Sequence, residues 1–175
     1  MERQEQMSYR VIAREATGEI VEKKSRFIAT MVPVSGEDAA AAFLDATRKR
    51  YYDARHNCYA YIIGKDTRTE RSSDDGEPSG TAGRPMLEVL RGAGLTDVAA
   101  VVTRYFGGVL LGTGGLVRAY TQALQAAVEN SEMITMRGGV QYTVSADYTL
   151  TGKLQHLFAT EGVFIKDTIY SEQVT

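Results

Sequence analysis

Between Arg104 and Tyr120 the chain reads RYFGGVLLGTGGLVRAY, and few backbones accommodate such a run. An apolar β-branched segment with Val98, Val101, Val102 and Thr103 precedes it. Leu116 to Glu129 follows with apolar residues at helical spacing, so the order is strand, glycine-rich turn, helix. Gly107, Gly108, Gly112, Gly114 and Gly115 admit positive φ or let a backbone or ligand come close. A helix beginning near Gly114 leaves its first N–H groups unpaired and points the positive end of its dipole at the turn, which suits a phosphate or carboxylate. Arg104 and Arg118 flank that point. Two readings stand here: an anion site built from Gly112, Thr113, Gly114 and Gly115, and a plain tight turn under a closely packed helix. The named nucleotide motifs do not fit. A Walker loop ends in Gly-Lys-Ser/Thr where this one has Gly-Gly-Leu, and a dinucleotide fingerprint from Gly112 and Gly114 needs glycine where Val117 stands.

The chain has 175 residues, 43% of them apolar, enough for one packed domain or one domain and part of a second. A formal charge of -2 gives no global basic signal, so any nucleic-acid contact has to be local. Cys58 is the single cysteine, which excludes an intramolecular disulfide and fits a reducing compartment. Neither an apolar membrane span nor a signal-peptide core is present in the sequence, so the expectation is a cytoplasmic chain with no membrane partner.

In chain order, residues 1 to 8 are polar and expected to fray. Tyr9 to Ala13 and Glu19 to Glu22 flank Thr17-Gly18 as an expected hairpin, and Arg26 to Val34 is a strand ended by Pro33. Ser35 or Gly36 caps a helix from Glu37 to about Tyr51. Its acidic first turn and its last-turn Arg48, Lys49 and Arg50 match the helix dipole, the alternative for the basic cluster being a nucleic-acid patch. The next strand sets Cys58, Ala60 and Ile62 on one face and Tyr59, Tyr61 and Ile63 on the other, with Arg55 and His56 at its mouth. His56 has Asp53, Asp74 or Asp75 as candidate carboxylate partners. Cys58 reads either as a buried sulfur or as half of a Cys-His dyad.

Lys65 to Gly83 reads as a long polar loop with a flexible first half. Its second half carries Asp74, Asp75, Glu77, Ser79 and Thr81. The three acids read as ionic or capping partners of Arg84, Arg104 or Arg118 rather than as metal ligands, because the distal Glu of a calcium loop is missing. Thr81 is expected to cap a helix near Pro85 to Arg91. After a linker at Gly138-Gly139 come a strand from Val140 to Ala146, a helix from Thr149 to about Thr160 and a strand from Val163 to Tyr170, with a net charge that argues against a phosphate-binding arm.

Three blocks, ARHNCYAYIIG (54 to 64), DDGEPSGTAGRPML (74 to 87) and RYFGGVLLGTGGLVRAY (104 to 120), together resemble the YigZ/IMPACT family over about residues 8 to 135. The resemblance implies an α+β chain: a ribosomal protein S5 domain 2-like domain over 1 to 137, similar to domain IV of elongation factor G, then an incomplete ferredoxin-like domain over 138 to 175. It also implies translation control, since eukaryotic relatives act as translational regulators. RNA, the ribosome or a protein of translation control would be the partner. The expected role is a non-enzymatic translation-linked binding protein. Phosphates would meet Arg104, Gly112 to Gly115, Arg118, Arg84, Arg55 and His56, and Tyr59 or Tyr105 would stack on a base if exposed. The alternative is a small-molecule enzyme or nucleotide-binding protein with its phosphate site at the same turn, by analogy with kinases of the S5-like fold. The binding-protein reading calls for no resident cofactor or metal, the enzyme alternative would need Asp74, Asp75 and Glu77 to supply metal or base, and the sequence sets no oligomeric state.

Overall fold

A computed structural model of the chain describes residues 8–65 and 67–171. The chain divides into two compact units between Gly138 and Gly139. The first is built on a five-stranded antiparallel sheet, order β2-β3-β6-β4-β5, where β2 is Ala16–Glu22, β3 Ser25–Pro33, β4 His56–Ile63, β5 Thr69–Ser73 and β6 Val98–Tyr105. Strand β6 lies in the middle because its run VAAVVTR is small and β-branched, and it is buried from Val98 to Arg104. Alternation then sorts the side chains. Phe27, Ala29, Met31, Cys58, Ala60, Ile62, Val98, Ala100 and Val102 form the larger core with helices α2 (Gly83–Gly92) and α3 (Gly112–Glu129). On the opposite face Tyr61 and Ala99 meet Ala40 and Phe43 of helix α1 (Glu37–Arg50).

Three expectations about the first unit need correction. Strand β1, Ser8–Ile12, does not form a hairpin across Thr17-Gly18; it pairs with β7, Met133–Arg137, a strand the sequence reading does not include. Thr17 and Gly18 lie inside β2, whose hairpin partner is β3 through Lys23 and Lys24, both at positive φ (45° and 65°) as a two-residue turn between twisted strands requires. Gly18 serves packing: a Cβ there would stand 2.3 Å from the Ala127 nitrogen of α3. The first half of the polar loop is not a flexible tip, because β5 pairs with β4 as the sheet's polar edge. Helix α2 is not capped by the Thr81 hydroxyl, which donates to the Pro78 carbonyl at 2.6 Å while Ala82 holds the cap position.

The second unit has a single helical turn at Tyr148–Leu150 leading into α4, Thr151–Thr160. The helix agrees with its periodicity, but the described residues 140 to 146 and 163 to 170 are not strands. Those stretches carry alternating apolar residues with Val140, Tyr142, Phe164 and Ile169 all exposed, so the burial that would settle them into a sheet is missing. Of the start expected to fray, residues 1–7 lie outside the described residues and Ser8 already belongs to β1.

Candidate functional site

The first residue of β4 and the penultimate residue of β6 are cross-strand partners, His56 opposite Arg104, and both point toward α3 at the open end of the sheet. The segment between β5 and α2 folds over them, fixed by Asp74. Its carboxylate accepts the backbone N–H groups of Gly80 (2.8 Å), Ala82 (2.9 Å) and Gly83 (2.8 Å), so Asp74 fills the capping role at the N-terminus of α2 that the sequence assigns to Thr81, and adds a negative charge there. Burial works against that carboxylate, yet the three N–H donors together outweigh it and hold its pKa below the usual value. Asp75 Oδ2 accepts the Asn57 N–H at 2.7 Å, and the Asp75 carbonyl lies 2.8 Å from His56 Nδ1. A carbonyl oxygen only accepts, so Nδ1 carries a proton and Nε2 is turned to Glu77 Oε2, 4.0 Å away.

Glu77 closes the network. Its Oε1 accepts Arg104 Nη1 at 2.7 Å and the Tyr120 hydroxyl at 2.8 Å, with Glu77 and Arg104 both buried. The Cys58 thiol lies 3.3 Å from the Tyr120 oxygen and 3.0 Å from the Asp74 carbonyl. Burial pushes the Cys58 pKa up to about 12 and drives that of Tyr120 well above the usual phenol value, so both keep their protons at neutral pH. A Cys-His dyad is therefore ruled out: the sulfur faces Tyr120 and Asp74 and holds no thiolate. The Arg104 guanidinium packs on two rings, 5.4 Å from the centroid of Phe27 and 5.6 Å from that of Phe106. Its Nε is the one buried side-chain N or O atom without a hydrogen-bond partner among the described residues.

The glycine-rich turn leaves this network toward solvent. Gly107 is obligatory, since a Cβ there would stand 2.0 Å from the Lys24 carbonyl carbon in the β2–β3 turn, and its N–H donates to Ser25 Oγ at 3.1 Å. Helix α3 then starts two residues before the expected Gly114, with no side-chain cap and no acidic residue in its first turn. Gly112, Thr113 and Gly114 are exposed and Gly115 is half-buried beside Leu111. Arg118 reaches back over that turn, its Nη1 3.6 Å from where a Cβ on Gly114 would lie. Arg118 has no carboxylate partner among the described residues, and neither has Arg84, which is exposed beside a groove of about 850 Å³ lined by Pro85, Val89, Val117 and Thr121.

The expected site residues thus fall into separate groups. Arg104 and His56 sit inside with Glu77, so Arg104 is a buried ion-pair partner and not a surface contact at the turn. Arg118, Gly112, Thr113 and Gly114 share the exposed start of α3; Arg84 is exposed at the groove that Val117 and Thr121 of the same helix line, and Arg55 and Ser79 are exposed elsewhere. Of the loop, Asp74, Asp75 and Glu77 are all engaged inside the protein. Tyr120 and Phe106 were not legible as site residues: a tyrosine in the apolar stripe of a helix looks like plain core, and only its hydroxyl opposite a loop glutamate gives it a polar role. The expected stacking residue Tyr105 is half-buried and donates to Asp53 Oδ1 at 2.8 Å, and half-buried Tyr59 stacks on Tyr61.

Comparison with known proteins fits this arrangement to a class. The Impact N-terminal domain model matches residues 23–128, which span strands β3 to β6 of the sheet, the loop and all but the last residue of α3, and a domain of unknown function (DUF1949) matches residues 144–175. The chain belongs to the IMPACT family. It is 42% identical over 167 residues to the IMPACT family member YvyE of Bacillus subtilis, covering 95% of this chain and 77% of that protein. It is 45% identical over 133 residues to the IMPACT family member YigZ of Escherichia coli, covering 74% of this chain and 65% of that protein. A crystal structure of a hypothetical protein superposes with a TM-score of 0.72 at 39% identity, over 87% of this chain and 75% of that one.

Proposed function

We propose that the chain is a non-enzymatic, translation-linked protein of the cytoplasm that binds RNA, alone or on the ribosome, through phosphate contacts at the start of α3. In this reading residues 1 to 137 have the S5 domain 2-like fold and residues 138 to 175 belong to a ferredoxin-like domain, as the family resemblance implies. One observation carries the site: the Arg118 guanidinium stands over an uncapped helix N-terminus with no acid in its first turn. Cations favour the opposite end of a helix, by about 0.3–1 kcal/mol. A guanidinium at the positive end, with unpaired N–H groups beneath it, is therefore relieved by a bound anion. Arg84 adds a second cation without a carboxylate partner among the described residues. The overall charge of -2 confines attraction to this local patch.

The competing reading, a nucleotide enzyme, needs Asp74, Asp75 or Glu77 as metal ligand or base. Asp74 is committed to three backbone N–H groups, Asp75 to the Asn57 N–H and Glu77 to Arg104 and Tyr120. That engagement favours the binding protein. The test is single-stranded RNA binding at low and moderate salt, with Arg118→Gln plus Arg84→Gln beside the wild type and folding followed by circular dichroism. Binding should fall with salt, and the double substitution should flatten the logarithmic salt slope by about 1.4, for two contacts at about 0.7 each. A folded wild type that binds no RNA at low salt would end this reading.

A further inference from the structure

We infer that Phe106 is a base-stacking platform and that the ligand of the α3 turn is therefore single-stranded RNA, with one base laid on that ring. This deepens the function proposed above and rests on it. Phe106 is the first residue beyond β6 and is 46% exposed. Its inner face is occupied by the Arg104 guanidinium, 5.6 Å from the ring centroid, so the accessible surface falls on the outward side. The guanidinium is itself held in place: its carbon lies 5.4 Å from the Phe27 ring centroid, and Glu77 Oε1 accepts its Nη1 at 2.7 Å. An aromatic ring on a rigid base loses little freedom when a nucleobase settles on it.

Two further observations point the same way. Arg104 Nε, in the guanidinium that lies over the ring, is buried and unpartnered among the described residues, a feature that native structures seldom keep away from functional sites. The platform and the phosphate site also lie at a spacing that a strand can bridge. Phe106 and Gly112 are six residues apart in the chain, so their Cα atoms lie within about 21 Å of each other. Stacked nucleotides advance about 3.4 Å each, so a phosphate at the start of α3 and a base on Phe106 fall within reach of one short strand of about six nucleotides or fewer. A duplex keeps its bases stacked inside and offers none to a ring. A free mononucleotide needs an enclosing pocket, whereas Phe106, Gly112, Thr113 and Gly114 are each open to solvent.

The test uses the whole chain and a labelled single-stranded RNA of roughly 12 nucleotides, with the matching duplex and AMP as competitors. Phe106→Ala should weaken single-strand binding about 5- to 150-fold and leave the salt slope unchanged, while Phe106→Tyr should stay within about threefold of wild type. The sequence holds no tryptophan, so Phe106→Trp introduces a single emitter whose quenching reads contact directly. Quenching should saturate over the same RNA concentrations as binding. If wild type binds RNA and Arg118→Gln weakens it, but Phe106→Ala binds as wild type and the Phe106→Trp emission is unchanged, the platform is overturned and the phosphate site stands. Equal binding of the duplex, or AMP displacing the strand with full quenching, overturns the ligand class. No binding at all by wild type removes the function proposed above and this inference with it.

Discussion

Glu77 is the residue on which the interior of the site depends, because one of its oxygens accepts both Arg104 and Tyr120 in a buried setting. Removing one partner of such a pair strands a buried charge. Glu77→Ala should therefore cost about 3–5 kcal/mol in urea unfolding, and Glu77→Ala combined with Arg104→Met should recover much of it. A loss no larger than that of an ordinary surface substitution would contradict the buried network. Asp74 gives the pH dependence. Its folded pKa is depressed, so the unfolded chain binds the proton more readily, and the stabilisation is complete above the ordinary value of 3.8 and lost as pH falls through the folded value. The stability gap between wild type and Asp74→Asn should then be constant near neutrality and close progressively below about pH 4. At this scale the sequence shows the acids as partners of arginines, which Glu77 and Arg104 fulfil. It does not show that Asp74 caps α2 from nine residues away, because that contact is made by the fold of the loop and not by a local motif.

Among the elements, those with a strong period were legible and those at edges were not. Strand β6 and helix α3 announce themselves by an apolar run and a helical stripe. Strands β5, TERSS, and β7, MITMR, have little or no buried face, so their sequences carry no alternation to read, and they exist through pairing with β4 and β1. Gly18 shows the converse error, where a glycine that resembles a turn is a contact surface. It lets α3 lie against β2, and a Cβ would meet the Ala127 nitrogen at 2.3 Å and the Ala126 carbonyl carbon at 2.6 Å. Those neighbours are backbone and cannot rotate away. Gly18→Ala should lower stability by about 3 kcal/mol or more, seen as a fall of several degrees in Tm, whereas Gly36→Ala, with open space around it, should change little.

For the whole molecule, both hydrophobic cores draw all their residues from the first unit, Ile12 to Val128. A chain ended after Gly138 should consequently unfold cooperatively with a Tm within a few degrees of the full chain, measured by circular dichroism. Ending it before Met133 should cost far more, since β1 then loses the strand it pairs with. The same pairing has a consequence in time. Ile12 and Met133 lie side by side, and β2 waits for Ala126 and Ala127 to arrive against Gly18. At about 5–20 residues per second of synthesis, roughly 120 intervening residues delay that closure by on the order of ten seconds. During that interval the apolar face of the nascent sheet has no helix α3 to cover it, so a newly made chain depends on what shelters it as it leaves the machinery of translation.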